Sequence, residues 1–293
     1  MTVTEDRQTL VDEAPPPVGP TSVLTLIGLR TTDPGTVGVR TRRRIPRGVE
    51  RLLGVVAVLL VWQLAATLGW IDERSLAGPL DVTSTFWEML TDGTLTSAMW
   101  SSLQRVLIGI AIGVPVAVLL ALFSGLSRIG EDLTDAPMHM FRFIPIIALQ
   151  PLLVLWLGIG ESVKISLIVL GVIFPVYVNT SNAIRSIDPK NLELAHTVGL
   201  GRWATVRRVV LPAALPSFLV GFRLATSVAW LLLVFAEQIN AKSGIGYLVI
   251  KAQTFFQSDV MVVCLLVYAV LGLLSDFGVR TLERRLLRWQ PGR

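Results

Sequence analysis

DPKNLELAHTVGLGRWATVRRVVLPAALP, residues 188 to 216, is the stretch on which the architecture turns. Two long apolar runs flank it, Ile165 to Ile184 before and Val209 to Ala236 after. The stretch itself is too polar to enter lipid, yet it carries the marks of ordered helix. Asp188 is a natural N-cap, and Pro189 follows at the first helical position, where a fixed φ helps and no backbone donor is needed. Gly199 or Gly201 can close this short helix in a left-handed turn. A second amphipathic piece, Arg202 to Val210, then leads to Leu211 and Pro212, which are expected to redirect the chain into the next run. The reading is an ordered elbow lying on one face of a membrane.

Working outward, uncharged stretches run from Leu52 to Ile71, Val106 to Ser127, Phe143 to Gly160 and Ile165 to Ile184. Each has the length to cross a hydrocarbon core of about 30 Å as a helix. Val209 to Ala236 is broken only by Arg223, and Val260 to Ser275 is shorter but bordered by Val, Leu and Tyr. With 52% hydrophobic and 16% charged residues and a mean hydropathy of +0.64, lipid is the expected solvent. Six spans are predicted, over about 52–71, 106–127, 137–158, 163–184, 213–236 and 260–280, within a transmembrane domain covering 46–293.

Charge supplies the orientation, because Lys and Arg collect on the cytoplasmic side. With the N-terminus inside, the inner flank and loops hold 18 basic residues, and the outer loops hold Arg74, Lys164, Lys242 and Lys251. Both termini are therefore expected in the cytoplasm. The same bias explains the pI of about 9.9 without a nucleic-acid partner, for which no aromatic or Gly-rich pattern accompanies the arginines. Residues 1–45, with Pro15, Pro16 and Pro17 in a row and one short apolar stretch, read as a disordered cytoplasmic extension. Cys264 lies alone in the last span and serves as a small apolar residue. Pro115, Pro145, Pro151, Pro175 and Pro216 interrupt spans, leaving carbonyls that neighbouring helices or a water-filled cavity must satisfy. Trp70 and Trp156 fall at the outer ends of the first and third spans, where an indole sits well.

The elbow resembles the EAA loop of binding-protein-dependent ABC transporter permeases. The match rests on Glu193-Leu194-Ala195, on Gly199 six residues after the glutamate, and on Leu211-Pro212 and Pro216. Further passages extend it over about residues 75 to 290: SLQRVLIGIAIG from 102, FRFIPIIALQPLLVLWLGIGES from 141, VGFRLATSVAW from 220, AEQINAKSGIGYLV from 236 and LERRLLRW from 282. Together they are similar to the branch importing nitrate, aliphatic sulfonates, taurine and related solutes. Leu194 departs from the first Ala of the triplet, and Leu is a good helix former. The resemblance implies an all-α membrane protein of the type I ABC importer permease kind, six transmembrane helices with a cytoplasmic coupling helix between spans four and five, within a coupling loop at 188–212. It implies that Glu193, Ala195 and Gly199 couple to an ATPase subunit while Leu211 and Pro212 set the exit angle. The competing reading of Glu193 is an exposed helix salt bridge with Arg202 or Lys190.

Arg223 is the one charge inside the uncharged runs and is a pathway candidate, although seven residues past Pro216, roughly 10 Å, it can still snorkel to the cytoplasmic interface. Glu237 lies on the order of 21 Å further along a helix, so the two cannot pair within it, and it marks the outer end of span five beside Gly244 and Gly246 as a gate candidate.

An intramembrane enzyme lacks its motifs here: there is no His-Glu-x-x-His and no Gly-x-Ser-x-Gly, and the histidines are only His139 and His196. A secondary transporter calls for ionisable residues near the midplane, where Arg223 is expected to stand alone. A Walker A sequence is also absent. The expected protein is a multi-pass permease of the bacterial inner membrane that binds no cofactor or metal, with ATP and Mg on a partner. Expected partners are a second copy of the chain, two ATP-binding subunits and an extracytoplasmic solute-binding protein. The expected cargo is a sulfonate-, taurine- or nitrate-like anion, with a heterocyclic vitamin precursor as the alternative.

Overall fold

The computed structural model describes residues 47–70, 72, 75–239 and 241–289. The expected extension, 1–45, lies outside them. Contacts divide the chain into two units, 1–53 and 54–293. Of the first, only the backbone that opens helix α1 (Arg47–Thr67) is described. The second unit holds the rest of α1 and, among the described residues, nine further helices and no strand.

Among the described residues, four helices are long and apolar enough to cross a membrane: α3 (Thr94–Leu126), α6 (Glu161–Arg185), α8 (Arg202–Gln238) and α10 (Ser258–Leu286). They correspond to the second, fourth, fifth and sixth expected spans. The first expected span falls on α1, whose described apolar part, Val56–Thr67, is shorter than a crossing. Between α1 and α3, α2 (Pro79–Thr91) starts on a proline at its first turn. After α8, the short α9 (Ile245–Thr254) precedes α10.

The third expected span, 137–158, is two helices rather than one. α4 (Arg128–Phe141) and α5 (Gln150–Leu157) are joined through a 3-10 turn at Ile146–Leu149 and bent by 93°. The residues at the break explain it. Pro145 has no N–H to continue a helix, Pro151 is placed in the first turn of α5, and exposed Arg142 stacks its guanidinium 5.0 Å from the Phe143 ring centroid. By contrast, Pro115, Pro175 and Pro216 are carried inside continuous helices. The Pro175 carbonyl accepts from Asn179 Nδ2 at 2.8 Å.

α6 runs through the middle, with α3 parallel on one side and α8 antiparallel on the other. Small residues set the spacing. A Cβ at Gly109 would lie 2.4 Å from Ile168 Cγ2, one at Gly113 2.9 Å from Val172 Cγ1, and one at Gly125 2.7 Å from Ile184 Cγ2. Ala117 and Ala121, fully buried, continue that every-fourth-residue seam. Across the other face, Gly171 receives Leu232, and Gly221 lets α8 approach the Pro175 carbonyl. Close backbone approach replaces the hydrophobic driving force that lipid removes.

Candidate functional site

α7 (Pro189–Thr197) occupies the elbow, and both of its ends are capped by its own sequence. The Asp188 side chain accepts from the Lys190 N–H at 2.9 Å. At the other end Gly199, at φ +78°, sits in the left-handed region, with Gly199 N–H bonded to His196 O at 2.9 Å and Leu200 N–H to Ala195 O at 3.0 Å. This is a Schellman closure, and it settles the choice between Gly199 and Gly201. Ala195 is buried, and Leu192 packs on Ala183 and Ile184 of α6 and Val210 and Ala214 of α8. The helix is thus seated on both flanking spans.

What α7 leaves uncovered is mostly polar, Lys190, Asn191, Glu193, His196 and Thr197, with Leu194 exposed among them. Leu194, Val198 and, at the start of α8, Trp203 are 63%, 70% and 77% exposed. Glu193 is exposed and, among the described residues, has no ion pair with Lys190 or Arg202. Its backbone carbonyl accepts from the Thr197 hydroxyl at 2.9 Å. The capped helix thus exposes Leu194, with Val198 and Trp203 close by in the chain, among polar neighbours. Leu211 and Pro212 do not form a corner. The chain enters the span as one continuous helix through a wide π turn at Val206–Val210, because Pro212 offers no N–H to the carbonyl four residues back.

At the opposite end of the bundle, Glu237 is 1% exposed and enclosed rather than presented. Its carboxylate accepts from Arg105 Nη1 at 2.5 Å, Ser102 Oγ at 2.8 Å, the Gly246 N–H at 2.8 Å and Tyr268 Oη at 3.0 Å. Arg105, also buried, forks onto Glu161 through Nε at 2.6 Å and Nη2 at 2.9 Å, and donates to the Ser243 carbonyl and hydroxyl. Lys164 completes the group, 2.8 Å from Glu161. Two cations and two carboxylates therefore join α3, α6, α8, α9 and α10 in one charge-balanced knot. At Gly244, φ +111°, a Cβ would lie 2.4 Å from the Glu237 carboxylate, so glycine is required there for space as well as backbone.

Arg223 is not alone. Its Nε lies 2.6 Å from Asp276 of α10, which also meets Arg280 at 2.7 Å. The uncharged runs stop one residue short of both partners, Arg105 just before Val106 and Asp276 just after Ser275, although Asp276 falls within the expected sixth span, 260–280. Opposite charges at the same end of neighbouring spans were the signal that could have paired them.

A third cluster lies at the α7 end. Arg185, closing α6, meets Asp135 of α4 through Nη1 at 2.5 Å and Nη2 at 2.7 Å, and Glu131 at 3.3 Å. Tyr177, 1% exposed, bonds Asp135 and, at 3.0 Å, Ser124 of α3. Among the described residues, no group of His, Cys, Asp and Glu could hold a metal ion.

A helical membrane bundle with a doubly capped helix between two crossings has the layout of a permease of the transporter class. Residues 113–288 match the binding-protein-dependent transport system inner membrane component, and the chain belongs to that family, the permease subunits of ABC importers. It is 46% identical over 80% of its length, and 90% of the relative's, to the putative aliphatic sulfonates transport permease protein SsuC of Escherichia coli (strain K12). Identity is 37% to the SsuC of Bacillus subtilis (strain 168), over 83% and 88% of the two chains. To the taurine transport system permease protein TauC of E. coli (strain K12) it is 33%, over 86% and 94%. The fold is shared with an inward-facing MetNI methionine ABC transporter at a TM-score of 0.56 and 22% identity, over 67% and 97% of the two chains. A bacterial ABC transporter importing alginate gives 0.58 and 18%, over 82% and 93%.

Proposed function

We propose that this permease imports a small sulfonate-class anion handed to it by an extracytoplasmic binding protein. It works as a homodimer with two ATPase subunits, both termini in the cytoplasm. α7 is the coupling helix: Glu193, Ala195 and Gly199 couple it to the ATPase subunit, and Leu211 and Pro212 set the path of α8 into its span. The observation that carries this reading is the capped, doubly seated α7 with its exposed Leu194 and Val198. A short rigid helix transmits displacement, where a flexible loop would absorb it. The cargo class is supported by the relatives named for aliphatic sulfonates and taurine. Arg223 and Glu237 act as pathway or gate residues through their ion pairs, which tie helices that alternating access must move.

Co-purification in detergent with the cognate ATPase subunit tests the coupling role. Wild type is expected to retain the ATPase, and Glu193→Arg and Gly199→Arg to lose it while remaining folded in the membrane. Normal ATPase binding and transport by both variants would sink the assignment. Uptake of taurine and short alkanesulfonates into reconstituted vesicles, competed with nitrate, tests the cargo.

A further inference from the structure

We propose that Arg185 and Asp135 form the joint through which movement of α7 reaches the bent pair α4–α5. The proposal rests on the reading of α7 as the contact for an ATPase subunit and assigns a positioning role to two residues outside that contact. Arg185 is the last residue of α6, three before the Asp188 cap of α7, so α7 cannot move far without it. Its partner Asp135 lies on α4, within two turns of the 93° break.

The geometry is that of a transmitting contact. Both terminal nitrogens of Arg185 meet the two oxygens of Asp135, a fork that fixes orientation as well as distance. Asp135 is held in turn by the buried Tyr177 hydroxyl, and Ser124 of α3 accepts from Arg185 Nη2. Thr134, next to Asp135, lies 3.0 Å from the same Tyr177 oxygen. A displacement at the end of α6 is therefore passed to α4 rather than lost in sliding.

A second observation leaves room for another arrangement of the cluster. Arg185 Nε is buried with no hydrogen-bond partner, although the residue has two carboxylates beside it. A buried donor left unmet is unfavourable, and an arrangement that met it would be favoured. A modest swing of α4, bringing Glu131 or Asp135 round to Nε, would satisfy it. Coupling requires such an element with two discrete arrangements.

The test uses the full transporter in vesicles, with its ATPase and binding protein, and reads solute transported per ATP hydrolysed. Arg185→Gln and Asp135→Asn are expected to bind the ATPase and hydrolyse ATP as wild type does, while that ratio falls by about tenfold. Arg185→Lys keeps the charge without the fork and covers the case in which the neutral variants fold poorly; its ratio should fall between. A ratio unchanged in Arg185→Lys and in whichever neutral variant folds overturns the proposal. So does loss of ATPase binding, which would put the pair in the docking surface itself. If wild type fails to bind an ATPase, the reading of α7 has failed instead.

Discussion

Glu237 has four hydrogen-bond donors converging on one buried carboxylate, and that arrangement decides what its removal does. Glu237→Ala leaves Arg105 buried with only half of its counter-charge, and strands Tyr268 and the Gly246 N–H. Breaking one partner of a buried pair costs about 3–5 kcal/mol. The expected outcome is a clear fall in thermal stability of the detergent-solubilised protein, followed by intrinsic tryptophan fluorescence, before any effect on transport is considered. A variant as stable as wild type would return Glu237 to the role of an exposed contact. Sequence placed Glu237 at the end of its span beside the glycine turn, and in the structure it closes α8 just before Gly244 and Gly246. The partners were not legible, because Arg105 is remote in the chain from both Glu161 and Glu237 and meets them only once three spans are packed. Topology carried part of the answer: α3 and α6 begin at the end where α8 finishes, so Arg105, Glu161 and Glu237 had to share one side.

At the scale of the element, α7 was readable almost in full because capping is local physics. Asp188, Pro189 and Gly199 act on residues within five positions of themselves, and the structure uses each of the three. The break between α4 and α5 was readable only as a proline in a span. Its 93° angle depends on where α4 is held, by Asp135 against Arg185 and Tyr177, and those contacts span 42 residues or more. The Gly199 turn allows a clean test, since a Cβ there would meet nothing within 4 Å and only the backbone conformation is at stake. Gly199→Ala should weaken the end of α7 by about 1 kcal/mol, and Gly199→Asn by less, because Asn tolerates the left-handed region. Faster amide hydrogen exchange at Gly199 and Leu200 in the Ala variant, with Asn between Ala and wild type, is the expected order. Equal exchange in all three would mean that the turn does not hold α7 closed.

On the scale of the whole molecule, the orientation rests on basic residues while the crossings rest on helix length, and one labelling experiment joins the two. α8 separates Lys190, exposed on α7, from Lys242, exposed beyond its far end. One uninterrupted crossing must put them on opposite sides, whatever the direction of the bundle. The chain has a single cysteine, Cys264, which is fully buried, so Cys264→Ala gives a background for single-cysteine probes. In right-side-out vesicles, a membrane-impermeant maleimide is expected to label Lys242→Cys and spare Lys190→Cys. Inverted vesicles should show the reverse, because the excess of Lys and Arg marks the α7 end as cytoplasmic. Labelling of both sites from one side would mean that α8 does not cross, and the elbow could not face an ATPase while the Glu237 knot faces outward. Opposite labelling with the sides exchanged would keep the fold and overturn only the direction, leaving α7 with no access to ATP-driven subunits. Only the expected pattern lets both ends of the bundle work in one import cycle.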